Sequence, residues 1–200
     1  MRTVLIALHY QNEVLHADGK IRVGVAEKSD GREELKEKAA RLLAAVRGHG
    51  IPVVLVRIAF RPDHADVVQN GKIFRDVVAN KAMIDGSWGA DFHDGFGPVD
   101  GEYVVKHSRN NAFYGSQLEE VLRVLKAERL VIAGISTNFV VEATVRCASD
   151  MGYEIIVASD ACSSASLAQH QASLENMKLL ADIMTVDEVA QMIAAGGLQS

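Results

Sequence analysis

Short, unbroken apolar runs alternate along this chain with longer segments whose apolar residues fall at helical spacing. Thr3 to Leu8 has no polar interruption except at its start, and polar residues follow it, the pattern of a strand buried on both faces. After a polar loop containing Asp18-Gly19 and Asp30-Gly31, Glu33 to Arg47 reads as an amphipathic helix. Its Leu35, Ala39, Leu42 and Val46 share a face, and Gly48 or Gly50 stops it. Pro52 to Ile58 is a second buried strand and Tyr103 to Lys106 a short third; a helix follows from Tyr114 to Lys126. The unit then repeats, with a strand at Leu130 to Ala133, a helix from Asn138 to Met151 and a strand at Tyr153 to Ala158. A helix from Leu167 to Leu180, a strand at Ile183 to Val186 and a final helix complete it, the last opening on a capping box at Thr185-Val-Asp-Glu188.

Strands that alternate with helices must cross over to pair in parallel, and right-handed crossovers cover both faces of the sheet. The expectation is an α/β, three-layer Rossmann-like fold with a six-stranded, mostly parallel sheet, forming one domain over residues 1–200. In such sheets ligands sit beyond the carboxyl ends of the strands. The residues to inspect are therefore His9, Tyr10 and Gln11, then Arg57 to Phe60, Lys106 and His107, and Ile135 to Val140.

Composition narrows the function class. A formal charge of −5 argues against electrostatic attraction to nucleic acid or to an anionic membrane. No apolar run approaches the roughly 20 residues of a membrane span, and the start is interrupted too soon, by His9, for a signal peptide. Two cysteines, Cys147 and Cys162, make no disulfide framework and fit a reducing cytoplasm, where they read as structural thiols.

Two segments carry the functional signal. Between Ala59 and Glu102 the chain runs through mixed sequence, a length typical of a lid or pocket wall. Trp88 and Phe92 within it either cover an apolar ligand or close the core beneath the loop. The short clusters Asp63-His64-x-Asp66 and Asp91-Phe-His93-Asp94 form no recognisable metal pattern, so neither metal nor cofactor is expected. The second segment, Gly134-Ile-Ser-Thr-Asn-Phe-Val-Val-Glu-Ala143, leaves a strand and opens a helix whose free N–H groups attract negative charge.

Four ordered motifs now resemble one family. Leu5 to Asn12 looks like an opening in which an apolar strand ends in Asp-x-Gln, and Val104 to Gly115 resembles a Lys-containing motif followed by Ala-Phe and Gly. Ala133 to Thr144 is similar to a motif that normally reads Gly-x-x-Thr-Asn-x-Cys-Val, and Asp160-Ala-Cys-Ser-Ser with His170 is in character. The chain thus resembles the isochorismatase-like, or cysteine hydrolase, superfamily over essentially its whole length.

The resemblance implies a reaction centre of Asp, Lys and Cys, in which a thiolate attacks a carbonyl or nitrile carbon. Carried over by position, Lys106 matches, while His9 stands at the Asp position and Val140 at the Cys position. A hydrocarbon offers no lone pair, so Val140 forms no acyl-enzyme. The resemblance includes members that hydrolyse the enol ether of isochorismate without a thiol. On that pattern His9 is a proton donor and Lys106 the charge holder, or else His9 is hydrogen-bonded packing and the chain is an inactive relative that binds a small carboxylate or a protein partner. Gln11 orients a ligand or bonds the backbone; Ser136 and Thr137 cap the helix or donate to an oxyanion. Lys106 without its carboxylate, beside a helix start, points to a small anionic ligand. The resemblance further implies a non-proline cis peptide near Ile135–Ser136 and assembly as a homo-oligomer.

Overall fold

The apolar runs form one six-stranded sheet in the computed structural model, which describes residues 1–21 and 31–199. Its strands are β1 (Thr3–Leu8), β2 (Val53–Ile58), β3 (Tyr103–His107), β4 (Arg129–Gly134), β5 (Glu154–Ala158) and β6 (Asp182–Met184). They lie in the order β3-β2-β1-β4-β5-β6, and every pairing is parallel. All six residues of β1 are buried, as its uninterrupted apolar sequence requires of a central strand.

Seven α-helices are described: α1 (Asn12–Leu15), α2 (Gly31–Gly48), α3 (Lys72–Ala79), α4 (Leu118–Val124), α5 (Glu142–Asp150), α6 (Leu167–Met177) and α7 (Val186–Ala194). The chain steps outward from β1 to β3 in one direction and from β4 to β6 in the other. Right-handed crossovers therefore place α2 on one face of the sheet and α5 and α6 on the other. α7 returns to pack on α2, and α5 packs on α6. Among the described residues, no helix is long and apolar enough to cross a membrane.

Several boundaries move from their sequence expectation for identifiable reasons. The helix expected from Tyr114 begins at Leu118, because Gly115 takes a left-handed φ of +63° and the Ser116 hydroxyl donates to the Ala112 carbonyl. The segment after β4 opens with a wide π-helical turn, Thr137–Val141, before α5 begins. β3 runs one residue further than expected, to His107, and α3 was not anticipated. The capping box at Thr185 forms: its hydroxyl accepts from the Glu188 N–H at 3.2 Å, and Glu188 accepts from the Thr185 N–H at 2.7 Å. Asp30 of the expected loop lies outside the described residues.

The strand order changes direction between β1 and β4, and there the two strands close tightly. Gly134 has φ +150°, and a Cβ on it would meet the Leu8 carbonyl oxygen at 2.2 Å. Only glycine fits, and the Ile135 N–H reaches the same carbonyl at 3.1 Å. The carboxyl ends of β1 and β4 are thereby held side by side at the position where open α/β sheets bind ligands.

Candidate functional site

Two buried histidines meet above the sheet. His9 follows β1 in a left-handed conformation, φ +58°, uncommon for a residue with a side chain. Its N–H donates to the Val56 carbonyl at 2.9 Å, which fixes the turn. His107 closes β3, and the two Nε2 atoms face each other at 2.5 Å, with ring centroids 4.8 Å apart. The Nδ1 of His107 lies 3.2 Å from the Asn111 carbonyl oxygen. Burial pushes the pKa of His9 well below its ordinary value, with His107 adding to the effect, while a backbone hydrogen bond to Ile135 opposes it. Burial likewise takes His107 down to about 4. Both imidazoles are therefore neutral at pH 7.

A cavity of about 50 Å³ opens beside His9. Its walls are chiefly Val14, Ile58, Phe74, Val77, Met83 and Val140, and its polar contributors are His9, Arg109, Asn110 and Ser136. Phe74 and Val77 come from α3 and Met83 from the turn after it, so the long connection after β2 is a pocket wall. Arg109 lies over the Phe74 ring at 3.7 Å and donates to the Val68 carbonyl and to Asn70 Oδ1 at 2.9 and 2.8 Å. Such a stack holds a guanidinium flat against an aromatic face. A wider cleft outside shares Ile21, Ile73 and Phe139, which makes Phe139 a side chain common to both spaces.

Of the residues singled out from sequence, His9, Ile58, Ile135, Ser136, Phe139 and Val140 line the cavity, and Thr137 does not. Lys106 is not brought there. Alternation along β3 sends His107 inward and Lys106 outward, where its Nζ donates to Asp85 at 2.9 Å beside Arg57. The hydrogen bond from Lys106, followed by that from Arg57, holds the Asp85 carboxyl below its ordinary range. Gln11 is fully buried and ties the Ile58 backbone to the Ala90 carbonyl, a clamp between β1, β2 and the long connection. Trp88 lies half exposed against His16, away from the cavity, and Phe92 packs on the core.

Ser136 and Thr137 serve the turn after β4. The Ser136 hydroxyl bonds Asn138 Oδ1, which also accepts from Ser164, and Thr137 pairs with His170 Nδ1 at 2.8 Å. The peptide between Ile135 and Ser136 is cis. Cys162 is buried with its pKa raised to about 12 by burial, and its thiol donates to the Ala158 carbonyl. Cys147 is half-buried, its sulfur 3.9 Å from that of Met151. His107 stands in the sequence only among the residues to inspect beyond the strand ends, with no role read for it, and Arg109 and Phe74 are not singled out there. The alternation of Val105 and His107 is the signal that finds the first of them; for the other two the sequence carries no pattern.

Residues 3–188 match the family model described as the isochorismatase domain. The chain is 32% identical over 158 residues to the uncharacterized isochorismatase family protein YecD of Escherichia coli O157:H7, covering 78% of this chain and 82% of that one. It is 29% identical over 212 residues to the ureidoacrylate amidohydrolase RutB of Methylobacterium radiotolerans, covering 99% and 81%. The solved structure of an isochorismatase family protein from Burkholderia thailandensis superposes with a TM-score of 0.79 at 27% identity, covering 94% of each chain.

Proposed function

The chain belongs to the isochorismatase family, and on that premise we propose that it binds a small molecule in the cavity beside His9 without forming an acyl-enzyme. In the thiol route a sulfur at the helix start attacks, a carboxylate serves as base, and an ammonium holds the developing charge. On this reading those three places are taken by Val140, His9 and His107. His107 replaces Lys106 in the assignment because it is the β3 residue that meets the end of β1. The observation that carries the proposal is the state of His9. Nε2 of His9 is taken by His107 and burial keeps the ring neutral, so His9 offers no charged proton donor to a substrate. Neither cysteine substitutes, since Cys162 is locked as a buried thiol and Cys147 does not line the cavity.

Thiol-independent hydrolysis of an anionic enol ether by His9 and Lys106 has less support, because Lys106 is bound to Asp85 outside the cavity. The test is incubation with ureidoacrylate, the substrate in the relative's name, followed by mass spectrometry of the protein and product analysis. The expected result is no turnover and no adduct. Turnover that disappears in His9→Ala, or a thioester on Cys147 or Cys162, overturns the proposal.

A further inference from the structure

The polar groups that reach the cavity beside His9 are already engaged with the protein. His9 Nε2 faces His107, and the Ser136 hydroxyl bonds Asn138 Oδ1. Arg109 lies on the Phe74 ring and donates to Val68 and Asn70; both it and Asn110 are reached by solvent. What remains is carbon. Phe74, Met83 and Val140 offer a ligand contact without a hydrogen bond. Walls of this kind favour hydrocarbon over water, which needs roughly two to four polar partners to be held.

Charges behind and outside these walls balance one another. Met83, in a left-handed conformation of φ +55°, gives its N–H to the buried Glu13 carboxylate, which lies 3.6 Å from Lys20 Nζ. Lys20 also donates to the Lys81 carbonyl at 3.2 Å, and Asp76 on the outer cleft pairs with Lys72. The uncharged polar groups of that cleft are the amides of Asn80 and Gln169. Cavity and cleft meet at Ile21, Ile73 and Phe139. The anionic ligand expected from sequence rested on Lys106, which is bound to Asp85 on the outward side of β3.

Resting on the reading of the cavity as a ligand site, we propose that its ligand is an uncharged aliphatic molecule with one polar end, such as a short-chain alcohol. The chain lies against Phe74, Met83 and Val140, passes between Ile73 and Phe139, and leaves its hydroxyl in the outer cleft beside Asn80 and Gln169. A space of about 50 Å³ holds only the end of such a chain, so the polar end keeps its hydration. An ammonium drawn into these walls meets Arg109 as a like charge. A carboxylate has to draw away a guanidinium already held by Phe74, Val68 and Asn70.

Nuclear magnetic resonance of the full chain with carbon-13 in its methionine methyl groups tests this, and loss of one signal in Met83→Leu identifies the wall residue. Butan-1-ol, butylammonium and pentanoate carry the same alkyl chain and differ in charge. Butan-1-ol is expected to shift the Met83 signal to saturation and to bind about tenfold more tightly than either ion. From ethanol to butan-1-ol the affinity is expected to rise about fourfold per added CH₂. Val140→Leu, which takes the room of one CH₂, is expected to weaken butan-1-ol by about the same factor, with circular dichroism confirming the fold. Either ion binding as tightly as the alcohol overturns the inference while sparing the ligand-site reading; for pentanoate, Arg109 is then the anion partner. Undiminished alcohol binding in Val140→Leu overturns it by placing the chain elsewhere, and no Met83 shift with any of the three compounds overturns both.

Discussion

Lys106 and His107 are neighbours on one strand, yet one backbone step separates two electrostatic regimes. Lys106 points outward, half exposed, and keeps its charge by pairing with Asp85, which Arg57 also holds. His107 points inward, 2% exposed, and loses its charge because burial disfavours it and no carboxylate pairs with the ring. The difference teaches that a cation in a sequence motif reports nothing until its side of the strand is known. Solvation and a partner preserve the first group as an ion; desolvation converts the second into a neutral hydrogen-bonding group.

The largest expected effect comes from acid. His107 has a folded pKa of about 4 against an ordinary 6.5, so below 6.5 the unfolded chain binds a proton that the folded chain refuses. The stability held by the neutral ring is fully present above pH 6.5 and is lost progressively as pH falls toward 4. At about 1.36 kcal/mol per unit, His107 alone accounts for about 3 kcal/mol over that window. Denaturant unfolding at a series of pH values checks it; a flat profile between 6.5 and 4 would show that the ring is charged in the native state.

His107→Leu should follow in size. It removes the partner of His9 Nε2 and leaves a buried polar atom unsatisfied, a loss of about 2 kcal/mol at pH 7. The variant should also lose the His107 share of the acid slope while keeping that of buried His9, so its deficit relative to the unaltered chain narrows toward pH 4. Lys106→Ala should cost less than about 1 kcal/mol, because the pair with Asp85 is half exposed and Arg57 remains to hold the carboxylate. A larger loss, or any change in ligand binding, would put Lys106 back in the site.

The legibility of the chain follows the same division. β1 was readable to the residue because a strand buried on both faces tolerates no polar break, and the α7 cap was readable because Thr and Glu at that spacing have one local use. The end of β3 was not. It is an edge strand whose Tyr103 and Val104 are both exposed, so the alternation of Val105 and His107 shows only in its last residues, and the family resemblance falls on the lysine between them. The wall from α3 was hidden for another reason: Phe74 and Met83 are ordinary core residues until the long connection folds back over the β1–β4 seam.

Installing sulfur at the position where the family resemblance implies it should change function least of all. Val140→Cys places a thiol in the cavity wall at nearly the same volume, at a cost of about 1 kcal/mol in packing. Attack needs a thiolate, and the cavity lining supplies neither a carboxylate base nor a charged imidazole; at Cys162 burial, with Asp160 adding to it, raises the thiol to about 12. The substituted chain should therefore remain inert toward ureidoacrylate and alkylate slowly with iodoacetamide at pH 7, read by mass spectrometry. Converting His9 to Asp and His107 to Lys in the same chain supplies the base and the cation. Turnover that appears only in that triple variant would support the proposed reading, with the histidine pair as well as Val140 setting this cavity apart from the thiol route. Turnover by Val140→Cys alone would mean that the inward side of β3 is not the neutral environment its burial dictates.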